Sequence, residues 1–316
     1  MRYVISIFVV IILTVNVAVS GGGSKTSAYE FLRNESSSRA AGVGGSFVCF
    51  SNDPNIIFYN PAGISTVINR SASFGFLKHL TDVNGGYASY TQPLEIFDGY
   101  IGVGLQYINY GDFDETNETG DVTGSFSAGD FALSLGYAGK TTENLSYGAS
   151  LKFIYSSIAG NSSAALAADA GVFYTMPEEM VNIGISVLNI GSQMQSFNGL
   201  DEKLPLDIKI GISKKLEHLP LNINLNFHHL NFSYDNFVDR LKAFSVGGEF
   251  TLSQYIQLRI GYNNERRNDL ELGSSAGFAG FSLGLGALIN KYRFDYSFSS
   301  YGNIGSLHRI NLSTSF

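Results

Sequence analysis

Alternating apolar and polar residues, repeated through most of the chain, limit its possible folds more than any other feature. The last seven residues, from Ile310 to Phe316, follow this pattern and finish on an aromatic residue. The same alternation runs from Leu221 to His228, from Ile256 to Asn263 and from Tyr292 to Ser299. A period of two places the two kinds of residue on opposite faces of a β-strand. Because large apolar residues share one face and small, amide or charged residues share the other, the pattern predicts a barrel whose apolar surface meets lipid.

The closing strand also predicts how the barrel is assembled. Ile310, Leu312 and Phe316 have the alternation and the terminal aromatic residue of an outer-membrane strand. We expect them to form the signal that the barrel-assembly machinery reads. The lipid bilayer and the lipopolysaccharide of the outer membrane are also expected to contact such a barrel.

The amino terminus predicts export from the cytoplasm. A positive start at Met1-Arg2 precedes an almost wholly apolar run at residues 4–15, and small residues at 18–20 precede three glycines. This arrangement is typical of a signal peptide, here residues 1–20, that is cleaved off. The apolar run is too short for a spanning helix, so we expect strands to cross the membrane.

Composition excludes several classes of function. The net charge of −7 argues against nucleic acid as a partner, because nucleic-acid binding calls for a basic patch. The single cysteine, Cys49, excludes an internal disulfide framework and is expected to be a small buried residue. Neither a nucleophile elbow nor a phosphate-binding loop occurs, so we expect no enzyme activity and no cofactor.

The spacing of the alternating runs predicts an all-β domain at residues 70–316. We expect about fourteen antiparallel strands, with short turns and long polar loops in alternation. The long connections are residues 112–125, 157–163, 189–205, 231–240 and 264–275. Long loops are typically external in outer-membrane barrels, and an even number of strands then leaves both termini in the periplasm.

A barrel of this size is too wide for its own side chains to fill, so a plug or hatch is expected at residues 21–69. This segment lacks regular alternation. Asp53-Pro54 predicts the start of a short helix over residues 55–59, and Asn60-Pro61 predicts its end. We expect Gly63 to adopt backbone angles that larger residues resist. The predicted plug motif comprises Gly44, Gly45, Asp53, Asn60, Pro61, Ala62 and Gly63.

Several charged residues occupy strand positions whose side chains, by the alternation, are expected to face the lumen. They are Lys152, Asp169, Asp207, Lys209, Glu249, Arg259, Arg293, Asp295 and Arg309. The free-energy cost of these charges would be prohibitive if they faced lipid, but inside a polar lumen they can form ion pairs with one another. They could form a substrate path or anchor the plug as ion pairs, and the second hypothesis is favoured.

No metal site is expected. His228 and His229 are adjacent, and alternation along a strand would point them to opposite faces, so both could not reach one ion. The acidic stretch from Asp112 to Asp121 could hold calcium, but it lacks the fixed register of a helix-loop-helix site, and a solvated external loop is favoured. Residues 265–267 are expected to form a solvated rim beside a long loop.

Residues 38–48, SRAAGVGGSFV, followed by Asn52-Asp53 and by FYNPAG at 58–63, resemble the amino-terminal signature of the PorV/PorQ family of outer-membrane proteins. Asn52 stands where that family often has an acidic residue. Further stretches resemble the PorQ-like members in particular, in order along the whole mature chain: 29–32, 106–111, 120–130, 151–157, 211–216, 228–230, 261–262 with 265–267, and 279–282. A looser form of the signature also opens the long-chain fatty-acid transporter barrels.

The resemblance implies a fatty-acid-transporter-like barrel that takes part, without enzyme activity, in the type IX secretion system. That system translocates cargo, processes its carboxy-terminal sorting signal and attaches it to the cell surface. The partners implied are the attachment complex and a PorZ-like protein. The alternative is a transporter for long-chain fatty acids or other hydrophobic compounds. Secretion ranks first at this point, because a transporter needs an apolar lumen pocket and the inward positions above are polar or charged.

Overall fold

A computed structural model describes residues 27–78, 82–94, 98–197, 199, 201–234, 236–270 and 277–316. The predicted signal peptide, residues 1–20, and the first six residues of the predicted plug lie outside these ranges.

The described residues form a closed antiparallel barrel of fourteen strands, in which each strand pairs with its neighbours in the chain. The strand number predicted by the alternation is therefore confirmed. The strands are β1 (Ser71–Lys78), β2 (Asn84–Leu94), β3 (Gly99–Thr116), β4 (Val122–Lys140), β5 (Leu145–Ile158), β6 (Asn161–Met176), β7 (Val181–Gln195), β8 (Asp207–Lys215), β9 (Leu221–Phe227), β10 (Phe244–Thr251), β11 (Ile256–Asn263), β12 (Phe281–Ile289), β13 (Tyr292–Ser300) and β14 (Ser306–Ser315).

The barrel closes where β1 pairs with β14, from Ser71 opposite Ser315 to Lys78 opposite His308. The backbone N–H of Phe316 donates to the carbonyl oxygen of Arg70 at 2.9 Å, and its ring lies 6.4 Å from that of Tyr90. We call this end of the barrel the turn end, because the tight turns at 141–144, 216–220, 252–255 and 290–291 also lie there. The opposite end is the loop end.

The outer surface is apolar along most strands. Exposed side chains on it include Phe74, Phe76, Leu135, Leu151, Leu166, Ile190, Leu258, Ile260, Leu283, Leu285, Phe294, Tyr296, Ile310 and Leu312. A soluble protein would not expose so large an apolar surface. Each strand is hydrogen-bonded to a neighbour on both sides, so the apolar outer surface is that of a barrel embedded in lipid. Among the described residues, no helix is both long enough and apolar enough to cross a membrane.

Residues 27–69, the amino-terminal segment, pack against the inner wall. The segment contains 3-10 helices at Glu30–Arg33, Pro54–Phe58 and Pro61–Thr66, and one short α-helix, α1 (Ser38–Gly42). Three further short helices lie at the loop end: the α-helices α2 (Phe237–Arg240) and α3 (Asn264–Asp269) and a 3-10 helix at Gly302–Ile304. Small residues on the wall make room for the segment: a Cβ on Gly148 would lie 2.5 Å from the backbone nitrogen of Ala62.

Three predicted loops are shorter than expected. Strands β3 and β4 continue through much of residues 112–125, β5 and β6 through much of residues 157–163, and β7 reaches Gln195. The polar composition of these stretches suggested loops, but a strand that projects beyond the lipid can be polar on both faces. Phe113 and Phe126 stack across β3 and β4 with ring centroids 5.3 Å apart, which holds this projecting hairpin together.

The helix predicted after Asp53 is present and ends at Phe58, just before Asn60-Pro61, but the amino-terminal segment differs from the prediction in two other respects. Asp53 caps the first helix as expected, through its bond from the Asn55 N–H at 3.0 Å, but Asn60 starts a second helix at Pro61 by accepting from the Ala62 N–H at 3.1 Å. Gly63 has no left-handed backbone angle, because it lies within that second helix. Its lack of a side chain instead permits close contact with Ile56.

Candidate functional site in the barrel lumen

Six charges, five of them buried and Arg293 half-buried, form a closed ring in which arginines and carboxylates alternate. Its members, the central ion ring, are Arg39, Glu249, Arg259, Asp295, Arg293 and Asp53. Arg39 binds both carboxylate oxygens of Glu249 at 2.7 Å. Arg259 lies between two carboxylates, 2.7 Å from Glu249 and 2.7 Å from Asp295. Arg293 lies 2.8 Å from Asp295 and 2.5 Å from Asp53.

The central ion ring connects the amino-terminal segment to the wall. Arg39 and Asp53 come from the segment, whereas the other four members come from β10, β11 and β13. Burial alone would raise the pKa of Asp53, but Arg293 and Arg39 hold it below its usual value. Since every carboxylate in the ring has two cationic partners, loss of one arginine would leave charge buried without compensation.

A second buried cluster centres on Glu35, a residue that the sequence analysis missed. Arg309, which is fully buried, donates to one carboxylate oxygen of Glu35 at 2.9 Å, and Arg266 binds the other. Burial would raise the pKa of Glu35, but Arg266 and Arg309 lower it to about 2. The expectation that residues 265–267 form a solvated rim is therefore wrong for Arg266, because its guanidinium is buried against Glu35 and over the ring of Tyr301.

The remaining inward charges pair on the wall itself. Lys152 lies 3.2 Å from Asp169, and Lys209 lies 3.2 Å from Asp207. Asp169 also accepts the backbone N–H of Asn189 at 2.7 Å, where β7 has a left-handed residue and its register with β6 shifts. Of the nine charges predicted to face inward, Glu249, Arg293 and Arg309 bind the segment directly, and Arg259 and Asp295 join it through the central ion ring. Lys209 also reaches the segment, because its ammonium group lies 6.0 Å from the centre of the Tyr59 ring.

The predicted plug motif is distributed over the segment. Asn60 bridges segment and wall, since its side-chain amide donates to the carbonyl oxygens of Val48, at 3.2 Å, and Val172 of β6, at 3.1 Å. Pro61 and Ala62 press on Gly148 of β5. Gly44 and Gly45 both have left-handed backbone angles that favour glycine, and Gly44 lies against the backbone of Tyr262 on β11.

Two cavities open along the inner face of β8, β9 and β10. The loop-end cavity, about 280 Å³, is lined by Lys209, Asn226 and Ser245 of the wall and by Glu35, Gly45 and Tyr59 of the segment. The turn-end cavity, about 420 Å³, is lined by Ser213, Asn222 and Glu249 of the wall, by Ser51 of the segment and by apolar residues such as Met176, Met180 and Leu221.

A narrow contact separates these two cavities. The wall positions between them are Gly211, Asn224 and Gly247. A Cβ on Gly211 would lie 3.0 Å from Sγ of the buried Cys49, and one on Gly247 would lie 2.7 Å from Oγ of Ser46. The side-chain oxygen of Asn224 is buried there, and none of the described residues bonds to it. Residues 43–49 of the segment therefore lie between the two cavities, against the inner face of β8–β10.

Part of the inner wall is apolar, which corrects the argument that ranked secretion above transport. Ile108, Ala132, Ile154, Ala165 and Ala167 are buried on β3 to β6. They form one cluster with Tyr29 and Phe31 of the segment and with Leu204. The prediction from strand alternation named the charged inward positions, but it did not consider these small and aliphatic inward positions toward the loop end. This apolar part of the wall is covered by Tyr29, Phe31 and Leu204 and forms a packed core beside the loops.

The adjacent histidines lie beside the loop-end cavity, and the prediction that they point apart is wrong. His228 Nε2 lies 2.8 Å and His229 Nδ1 2.7 Å from the same carboxylate oxygen of Glu265. Strand β9 ends at Phe227, and His229 has a left-handed backbone, φ 52°. Strict alternation therefore stops before this pair. The acidic side chains from Asp112 to Asp121 are by contrast exposed along β3 and its turn.

No protein-family model and no curated protein sequence matches the chain. Solved structures do match its fold. The toluene transporter TbuX of Ralstonia pickettii has a TM-score of 0.60 at 12% identity, covering 88% of this chain and 97% of that one. The toluene transporter TodX of Pseudomonas putida has a TM-score of 0.58 at 14% identity, covering 87% and 96%. A FadL homologue of Pseudomonas aeruginosa has a TM-score of 0.56 at 11% identity, covering 89% and 98%.

At these identities the likeness concerns the fold. The chain has a FadL-like barrel, the architecture of outer-membrane hydrocarbon transporters, over nearly its whole described length.

Proposed function

We propose that the chain is a non-enzymatic outer-membrane channel for small hydrophobic compounds, with the amino-terminal segment as its plug. The observation that carries this proposal is the alignment of two lumen cavities along β8–β10 with only residues 43–49 packed between them. The wall around Ile108 and Ile154 is apolar and is covered by Tyr29 and Phe31 of the segment, so it becomes a surface for such compounds when that part of the segment moves. The fold is that of proteins described as toluene transporters and a monoaromatic hydrocarbon channel.

In this proposal the loop end faces outward and both termini lie in the periplasm. A compound enters the loop-end cavity from the loop end and passes to the turn-end cavity when residues 43–49 move off Gly211 and Gly247. The central ion ring keeps α1 and the Asp53 turn attached meanwhile. The plug therefore opens between its charged anchors, Arg39 on one side and Asp53 on the other.

The buried Cys49 allows a direct test. A Cβ on Gly211 would lie 3.0 Å from its sulfur, close to the roughly 3.0 Å that disulfide geometry requires between one Cβ and the opposite sulfur. The Asn226 amide occupies that space, so the variant combines Gly211→Cys with Asn226→Ala. Cells that lack their own hydrocarbon transporters would express it, and uptake of labelled toluene and of labelled oleate would be measured.

We expect the wild type to raise uptake of at least one compound, oxidation to abolish uptake by the double variant, and reduction to restore it. Asn226→Ala alone is the matched control and should be insensitive to oxidant. Full uptake through the oxidised, cross-linked variant would refute residues 43–49 as the gate. No uptake of either compound by the folded wild type would refute the channel.

A second candidate is a component of the type IX secretion system, and the observation that favours it is the PorV/PorQ-like pattern at residues 38–63 and along the mature chain. Here the loops and the segment surface near Tyr29 would bind an attachment complex and a PorZ-like partner. Deleting the gene should then leave cargo with the sorting signal unprocessed or unattached at the cell surface. Normal cargo display together with lost hydrocarbon uptake would eliminate this candidate and retain the channel.

A further inference from the structure

Three side chains at the loop end converge as metal ligands do. His228 Nε2, His229 Nδ1 and a carboxylate oxygen of Glu265 each offer a ligand atom, and these atoms all lie within 4.8 Å of one another. The two nitrogens approach the same oxygen, at 2.8 and 2.7 Å. A four-coordinate cation needs such atoms about 2.0 to 2.2 Å from itself, so the oxygen would move away from the two nitrogens when the ion binds among them.

The local fold holds these ligands in place. The His228 N–H donates to the Ala243 carbonyl oxygen at 3.0 Å, and the His229 N–H donates to Asp207 Oδ1 at 2.7 Å. The His229 ring stacks on Phe232 with centroids 4.7 Å apart. Glu265 lies in the first turn of α3, which Asn263 caps through the Arg266 N–H at 2.9 Å. Both imidazoles and the carboxylate are thus supported before any ion binds.

Asp207 is a fourth residue of the cluster and contacts the second ring nitrogen of His229. His229 lies between two carboxylates, with Nδ1 on Glu265 and Nε2 3.5 Å from Asp207 Oδ2. A neutral imidazole has one N–H and can donate to only one of them. With a metal ion at Nδ1, the proton remains on Nε2 and faces Asp207. Metal-binding histidines usually have this arrangement, in which a second carboxylate fixes the tautomer.

We propose that His228, His229 and Glu265 bind a divalent transition-metal ion of the zinc class, with Asp207 as the residue that orients His229. Two imidazole nitrogens and one carboxylate oxygen suit zinc and its neighbours in the first transition row better than calcium or magnesium, which prefer oxygen ligands. The loop-end cavity borders all three ligands, so the fourth coordination position is open to water or to a ligand group.

Such an ion would connect two loops over one cavity. His228 and His229 belong to the connection between β9 and β10, whereas Glu265 belongs to the connection between β11 and β12. Both connections border the mouth of the loop-end cavity. The metal therefore clamps the rim on this side of the barrel, independently of what the barrel transports.

Cobalt and zinc titration of the refolded, untagged mature chain in detergent tests the site. We expect one Co²⁺ per chain, with the visible absorption of a four-coordinate ion, and its displacement by Zn²⁺. His229→Gln and Glu265→Gln should each lower the Co²⁺ affinity at least tenfold. Asp207→Asn should weaken it by about 10 to 100-fold while the stoichiometry stays the same. His218→Gln is the matched control, because that imidazole is 96% exposed at the turn end.

Heat-dependent mobility on gels would show that each variant retains a folded barrel. Absence of Co²⁺ binding to the folded wild type would overturn the proposal and leave the cluster as a hydrogen-bonded ion pair. Equal Co²⁺ affinity in the wild type and in folded His229→Gln or Glu265→Gln would also overturn it, because the ion would then be bound elsewhere.

Discussion

At the scale of single residues, the lumen is organised by charges that have specific partners. The central ion ring and the Glu35 cluster bring together residues that lie far apart in sequence, such as Arg39 and Glu249 or Glu35 and Arg309. A buried ion pair adds little net stability, but a buried charge without its partner is costly. These residues therefore determine where the segment sits more than how stable the barrel is.

Replacing Arg259 with Met should destabilise the fold by about 3 to 5 kcal/mol, because Glu249 and Asp295 would lose the cation that lies 2.7 Å from each. Urea unfolding of the refolded chain in detergent measures this change. Arg70→Met is the matched control, since the Arg70 side chain is exposed. A loss below 1 kcal/mol for Arg259→Met would mean that the ring relaxes around the gap.

The Glu35 cluster gives a pH dependence with a defined sign. Burial would raise the pKa of Glu35, but Arg266 and Arg309 lower it in the folded state from 4.5 to about 2. Its contribution to stability is therefore complete above pH 4.5 and is lost as the pH falls toward 2. The unfolding free energy of the wild type minus that of Glu35→Gln should stay constant from neutral pH to about 5 and then decrease. A difference that grows below pH 4.5 would contradict this assignment.

At the scale of elements, the segment fits the wall because glycines take the place of side chains where the two meet. Pro61 and Ala62 lie on Gly148, Gly44 lies on Gly261, and Gly42 lies on Gly284. Short helices with few internal hydrogen bonds follow the curved wall more closely than one long helix could. Their position is therefore set by contacts with the barrel and not by helix propensity.

Gly148→Val should displace residues 61 and 62, since the new Cβ would lie 2.5 Å from the Ala62 nitrogen. We expect a larger or more frequent single-channel current in planar bilayers, with the barrel still folded. Gly86→Val is the control, because a Cβ there has no neighbour closer than 3.6 Å. Identical currents for wild type and Gly148→Val would mean that the segment does not limit conduction at this point.

At the scale of the whole molecule, closure through β1 and β14 leaves no strand edge within the lipid. A closed ladder in a membrane resists detergent, because every interior backbone group already has a partner. The last bond of this closure is the one from Phe316 to Arg70.

The unheated protein should therefore migrate on a detergent gel at a mobility that boiling changes, and it should fractionate with the outer membrane. Deleting Phe316 should lower the folded fraction, because both the bond to Arg70 and the contact with Tyr90 are lost. Phe316→Tyr keeps both and should fold like the wild type. An unchanged folded yield after the deletion would remove Phe316 from the assembly signal.

Local patterns were sufficient to predict the strands. The pleat repeats every two residues, so Tyr292 to Ser299 or Leu221 to Phe227 reveal their two faces without knowledge of their neighbours. The same rule placed Arg259 and Arg309 inside. It failed at His228 and His229, where the strand had already ended, and along β3 and β4, where polar residues on a projecting hairpin resembled a loop.

The sequence by itself determined that the chain forms a barrel of fourteen strands, with lipid outside and charge inside, because those properties depend on residues next to each other along a strand. Only the tertiary structure decided which charges meet, which wall is apolar and where the two cavities end. Glu35 reaches Arg309 across 274 positions of the chain, and the histidine pair reaches Glu265 although β10 and β11 lie between them in the sequence. Such contacts depend on closing the barrel around its amino-terminal segment, and no local pattern contains that information.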